Sequence, residues 1–410
     1  MASEVLDRRI DPRNVSFRPK REPTAPVAAK QGRAIHEQDS RKPKRGKSPR
    51  WWGGKALHSD SQPPAGCPKP DRPPASPRGP SSPCFSGPLS AAHQLRREAS
   101  RGMRAAIRGI FRRNLALENG ERVLLVTDGG KHAIARRFLD VAEELGHAAE
   151  LVTVPIPEVH GVEPPAAVAR GMLDADVILI ITTKSLSHTL ARASATEQGA
   201  RIATMSGVTE DILRRFSQVD LIQMKARTNM FADLLDQGTQ VLLTSKEGTD
   251  LTFSIAGRIA HGRKASIFDQ PGYWGNIPCG EAFIAPVEDS VNGELVIDAS
   301  IAGIGLVDRN ATLRIERGKV VDIEGGSTAR RFEMLLDEPT KRQVAEFGIG
   351  TNDKARITGI TIEDEKVLGT CHIAFGNNRF FGGTNQVDFH VDCVMRAPTI
   401  VIDERTVMGG

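Results

Sequence analysis

The sequence predicts an α/β N-terminal domain with a mostly parallel, doubly wound sheet, then a mainly β, α+β C-terminal domain, behind a disordered N-terminal tail. Three observations carry this reading. Residues 1–95 hold 16 of the 25 prolines and show no sustained apolar periodicity. From there to about residue 247, strand-like apolar runs alternate with helix-like ones, the pattern of a parallel sheet wrapped by helices. After residue 247 the runs shorten and are separated by Gly, Asp and Asn turns, the texture of antiparallel strands.

The tail, 1–96, is basic and proline-rich. Its first 95 residues carry 18 Lys+Arg against 8 Asp+Glu, so their net charge is +10 and the remainder is −5. Runs such as Arg41-Lys42-Pro43-Lys44-Arg45 and Pro73-Pro74-Ala75-Ser76-Pro77 bury too little apolar surface to offset the entropy of ordering. The basic pI thus belongs to the tail, and the rest is mildly acidic, which argues against a nucleic-acid-binding body. Met1 to Lys20 has no apolar stretch of signal-peptide type, and no run approaches the roughly 18 apolar residues of a membrane span. Five cysteines, two of them in the tail, make no disulfide framework. A cytoplasmic protein without membrane contact is expected.

In the α/β part, 97–247, Met103, Ile107, Ile110, Phe111 and Leu115 fall near helical spacing over 97–120. Arg122–Thr127 reads as a buried strand turned by Asp128-Gly129-Gly130. His132–Leu145 follows as an amphipathic helix stopped by Gly146. Ala149–Val154, Val177–Thr182, Arg201–Met205 and Val241–Leu243 repeat the strand signature. In the β-rich part, 248–410, the strands expected are Asp250–Ile255, Gly293–Ile297, Ala311–Ile315, Lys319–Ile323, Val367–Phe375 and Val387–Val394, with a helix over 328–346.

Candidate chemistry gathers in this second part. In His390-Val391-Asp392, a strand places both polar side chains on one face, so both can meet one ion, and Asp388 shares that face. His372 alternates with apolar neighbours in Cys371-His372-Ile373-Ala374-Phe375-Gly376; a hydrogen-bonded core histidine is the ordinary reading of such a residue. Glu281 stands in an apolar run between Pro278 and Pro286, where burial is costly unless the carboxylate is paired or metal-bound. Glu346 stands among apolar residues and glycines and by itself reads as a helix-end charge. Cys393 faces away and reads as core. Three carboxylates and two imidazoles are donors that zinc, cobalt, manganese or iron accept, enough for two ions sharing a carboxylate.

In this order, NIPCGEAFIAP, AEFGIGTN, CHIAFG and HVD resemble the motifs of the thermophilic aminopeptidase T family of metallopeptidases, with similarity from about 103 to 403. The resemblance implies metal ligands at Glu281, Glu346, His372, His390 and Asp392, two divalent ions (Zn, Co or Mn), a small peptide substrate and a homodimer. It also implies an aminopeptidase-like hydrolase that removes N-terminal residues by a metal-activated water. Two departures stand out. Gly280-Glu281 replaces the family's Glu-Glu, so proton transfer falls to another group, with Asp388 the candidate. Arg379 replaces a Tyr and is the candidate to hold an oxyanion. The iron-dependent 2,5-dihydroxypyridine dioxygenases look like members of the same superfamily and give the alternative, a mononuclear Fe(II) enzyme that opens a hydroxylated aromatic ring. They carry a His at the Glu346 position; here His372, His390 and Asp392 form the corresponding two-His, one-carboxylate candidate set. A third reading is a binding protein that keeps the ligands without turnover.

Overall fold

A computed structural model describes residues 101–409, all within one compact unit; the tail over 1–96, with its expected disorder, lies outside the described residues. Residues 101–109 are helical (α1) and loosen into a π-turn at Ile110–Asn114. Next come β1 (Arg122–Asp128), α2 (His132–Glu144), β2 (Ala148–Val154), α3 (Ala166–Asp174), β3 (Val177–Ile181), α4 (Leu190–Glu197), β4 (Arg201–Thr204), α5 (Glu210–Phe216) and α6 (Leu221–Gln237). The strands pair in parallel in the order β2-β1-β3-β4, and β7 (Trp274–Asn276) is added beside β4. Fully buried runs such as Val177–Ile181 are what a sheet covered on both faces requires. One cover includes Phe138, Val141 and Ala142 of α2. The other includes Val168 and Met172 of α3 and Ala191 and Ala195 of α4.

The rest is antiparallel. β5 (Gln240–Thr244), β6 (Asp250–Ser254), β9 (Asn292–Ile297), β12 (Ala311–Glu316), β13 (Lys319–Glu324), β17 (Thr399–Ile402) and β18 (Arg405–Met408) form a seven-stranded sheet, ordered β13-β12-β9-β6-β5-β17-β18. β8 (Glu281–Ile284), β10 (Ser300–Ile301), β11 (Gly305–Leu306), β14 (Val344–Gly350), β15 (Thr370–Gly376) and β16 (His390–Arg396) form a six-stranded one, ordered β11-β10-β16-β15-β14-β8. Their inner faces share a core that includes Phe253, Leu295, Leu313, Phe347, Ile373 and Cys393.

Two expectations are corrected. Val241–Leu243 belongs to the antiparallel sheet, its exposure alternating where a doubly covered strand would be buried throughout. The parallel sheet takes β7 instead, a three-residue strand too short to leave a sequence pattern. The helix expected over 328–346 is α7 (Ser327–Leu335) alone; Pro339 cannot continue it, and Val344–Gly350 is a fully buried strand.

The α7 N-terminus is capped from a distance. Its N-cap, Gly326, has no side chain, and the Asp308 carboxylate accepts from Ser327 N (2.8 Å), Ser327 Oγ (2.8 Å) and Thr328 N (3.1 Å). Hydrogen bonds from Thr328 and Ser327 hold this carboxyl well below the usual range. A depressed folded pKa stabilises above the unfolded value of about 4 and stops stabilising as pH falls through the folded one. We therefore expect Asp308→Asn to lower the urea midpoint at pH 7 and to shrink the gap from wild type at pH 3. A gap independent of pH counts against the cap.

Candidate metal site and cleft

Four neighbouring strands, β8, β14, β15 and β16, build one face of the six-stranded sheet. Their register sets Gly350 opposite Glu281, Gly348 opposite His372, Ala374 between Glu346 and Asp392, and Gly376 opposite His390. Donors thus alternate with glycine or alanine, and the small residues leave the space the donors fill. A Cβ on Gly348 would lie 2.1 Å from the His372 ring, so no larger residue fits there while the ring keeps its place. The opposite faces of β14, β15 and β16 put Phe347, Ile373, Phe375 and Cys393 into the core. Period-two alternation makes this division.

Glu346 sits at the centre. Its Oε1 is 3.2 Å from His372 Nε2, and its Oε2 is 3.5 Å from His390 Nε2. His372 Nε2 is also 3.6 Å from Glu281 Oε2, and His390 Nε2 is 3.4 Å from Asp392 Oδ1. Two groups of ligand atoms therefore converge, Glu281–Glu346–His372 and Glu346–His390–Asp392, with Glu346 in both. His372 stands with Glu281 rather than completing a two-His set with His390 and Asp392.

Protons on this cluster are strongly biased. Burial alone would raise the Glu346 carboxyl, but hydrogen bonds from His372 and His390 hold it down at about 2. Burial would lower His390, yet Asp392 and Glu346 drive it well above the ordinary imidazole range. A cation fits the donor set. Glu281 Oε2 is buried with no hydrogen-bond partner among the described residues, though Lys366 already neutralises that carboxylate. His390 Nε2 stands 3.5 Å from Glu346 Oε2 and 3.4 Å from Asp392 Oδ1, farther than ordinary hydrogen bonds and with three donor atoms turned to one point. Asn377 O lies 2.9 Å from His390 Nδ1 and accepts the proton held there, so a cation on the Glu346–Asp392 side would take the place of the proton on Nε2.

Reading along the chain missed Lys366. It is 1% exposed, and its ammonium bonds both Glu281 and Glu365. Burial opposes that charge, but the two acids raise its pKa far above the lysine value. Asp364-Glu365-Lys366, a charged triplet directly before an apolar strand, was the available signal. The other two candidates lie apart. Arg379 is exposed and its guanidinium bonds Gln386; Asp388 is exposed, two residues before β16 begins. Position 280 has no room for an acid. Gly280 has φ +124°, and a Cβ there would lie 2.7 Å from Asn352 Cβ and 2.8 Å from Met224 Sδ.

The facing wall comes from the parallel sheet. Strand order reverses between β1 and β3, the place where such sheets open a crevice at their carboxyl ends. The segment leaving β3 there carries His188. Its ring stacks on Phe380 (5.3 Å, 24°), meets Trp274 edge-on (6.4 Å) and lies 6.3 Å from His390. Phe381 stands edge-on to His390 at 5.9 Å and to Phe283 at 5.7 Å. Burial, then the charges of His390 and Arg192, pull His188 down to about 4, so its ring is neutral at pH 7. Sequence reading did not single out His188, because its neighbours are about 90 to 200 residues away.

Residues 106–409 match the family model for 2,5-dihydroxypyridine 5,6-dioxygenase. A 2,5-dihydroxypyridine 5,6-dioxygenase from Pseudomonas putida KT2440 is 27% identical over 259 residues, 59% of this chain and 72% of the relative. A solved structure of 2,5-dihydroxypyridine dioxygenase from Pseudomonas putida KT2440 superposes with TM-score 0.64 at 20% identity, over 79% of this chain and 97% of that one. AmpT from Thermus thermophilus superposes with TM-score 0.56 at 18% identity, over 74% and 95%. Both superpositions show a shared fold of parallel and antiparallel sheets. The family match overturns the expected aminopeptidase-like hydrolase, and with it the peptide substrate and the zinc-protease reading. Among the described residues no helix is long and apolar enough to cross a membrane.

Proposed function

The chain belongs to the 2,5-dihydroxypyridine 5,6-dioxygenase family, and on that premise we propose that it is a metal-dependent, ring-cleaving dioxygenase acting on a hydroxylated pyridine or a related electron-rich ring. One observation carries the reading: an open group of nitrogen and oxygen donors, Glu346, His390 and Asp392, faces a cleft walled by aromatic rings.

Those three residues would hold a single iron(II). Glu281, of the second group, already has a cation in Lys366, which favours one ion over two. Glu346 supplies a carboxylate where, by resemblance, the dioxygenases carry a His. Bound there, the ion supplies the one-electron chemistry that lets dioxygen react with an organic ring.

The chain's own residues do the rest. Asn377 O fixes the His390 tautomer through Nδ1. Phe380 and His188 offer a flat ring an offset-stacking surface, and the Phe381 edge limits its tilt. A neutral His188 keeps a ring nitrogen lone pair to accept a hydrogen bond from a substrate hydroxyl.

The test is dioxygen uptake by Fe(II)-reconstituted protein given 2,5-dihydroxypyridine. We expect about one dioxygen consumed per ring lost, no ring loss under strict anaerobiosis, and about one iron per chain. Ring loss without dioxygen, or an iron-loaded protein inert toward hydroxypyridines and catechols, overturns the proposal.

A further inference from the structure

Arg192 is a buried cation without an acid. It lies in the first turn of α4 and is 6% exposed. Nε donates to Ser187 O at 2.7 Å, and the guanidinium carbon lies 3.7 Å over the centre of the Trp274 ring. Among the described residues no carboxylate reaches ion-pair distance, and Nη1 and Nη2 have no hydrogen-bond partner. They are not among the polar atoms sealed from solvent. Glu197 acts on it only from farther along the same helix, and Lys264, another group that feels its charge, is itself a cation.

Such a charge is costly to keep in place. A mostly buried, unpaired guanidinium loses part of its hydration, which a ring face only partly replaces. Buried charges are ordinarily paired, and when the protein supplies no partner, a ligand that brings one gains strongly. The location agrees. Trp274, on which Arg192 rests, also meets His188, whose ring lies 6.3 Å from His390 across the cleft. Nε is already committed to Ser187 O, so the free edge is the Nη1–Nη2 pair, which matches the two oxygens of a carboxylate.

We infer that Arg192 recognises an anionic substituent on the ring, so that the preferred substrate is a hydroxylated aromatic or N-heteroaromatic carboxylate rather than the bare hydroxylated ring. This rests on the ring-cleaving reading above and names the substrate class of that same cleft. Arg192 is a specificity residue; it touches the substituent and not the reacting carbons.

The experiment is anaerobic isothermal titration of the full, Fe(II)-loaded chain with 5-hydroxypyridine-3-carboxylate and, separately, 3-hydroxypyridine. Wild type is expected to bind the acid about 10- to 100-fold more tightly, the size of a charge-assisted pair. Arg192→Gln removes that gap, and Arg192→Lys keeps part of it. Equal affinities in wild type, or a gap that survives in Arg192→Gln, overturn the inference and leave the ring-binding reading standing. Binding of neither ring overturns both. If Arg192→Gln does not fold, the wild-type comparison and the Arg192→Lys variant decide.

Discussion

Glu346→Ala is expected to strip the protein of iron and silence dioxygen uptake. Glu346 is the carboxylate common to both donor groups, with one oxygen facing His372 and the other His390. Outer partners of metal ligands are worth about 10- to 100-fold in metal affinity or activity, and a direct donor exceeds that. We therefore expect a loss of more than about 100-fold in both affinity and turnover. Iron content after dialysis against a weak chelator, with an oxygen electrode in parallel, reads the two effects separately. A variant that keeps its iron and its turnover sinks the proposed centre. Because Glu346 lies in the middle of a fully buried strand, urea unfolding of the iron-free protein has to accompany the measurement.

Lys366→Met is expected to have the largest effect on stability. Its ammonium is enclosed by Glu281 and Glu365, and Asp392 adds a further negative field at Glu365. Burial pushes Glu365 well above the usual carboxylate range in spite of Lys366. Removing the cation leaves acids in a poorly solvated place, which costs on the order of 3–5 kcal/mol when one partner of a buried pair is lost. The urea midpoint without metal should fall accordingly. Adding Glu281→Gln to the variant should return part of the loss, since it removes one of the stranded charges. A Lys366→Met protein as stable as wild type would show that the ammonium is dispensable.

How much of this could be read along the chain depended on how local each signal is. Arg122–Asp128 and Val177–Ile181 announce themselves, because a strand covered on both faces must be apolar throughout. His132–Glu144 does so by its apolar stripe. The 344–350 strand was hidden, because the helical pattern of α7 ran on in reading through the polar 337–343 linker. For the donors, H-x-D fixed its own geometry, whereas Glu281, Glu346 and His372 were legible only through the family resemblance, and strand register shows what brings them together. His188 and Arg192 carry no signature, and Lys366 only a charged triplet. Their roles come from Trp274, Phe380, Glu281 and His390, partners that the chain order keeps far away.

The strand β7 has one more consequence. The chain leaves the parallel sheet after β4, lays down β5 and β6 in the antiparallel layer, then returns to give β7 to the parallel sheet before entering β8. No single cut can separate the two layers into self-sufficient pieces: a fragment ending between β5 and β7 bares the β4 edge and leaves it sticky. The same excursion acts as a short tether. Trp274 on one wall and Glu281 on the other belong to adjoining strands, with only Ile277–Gly280 between them. A link of that length limits how far the two walls can part at this point.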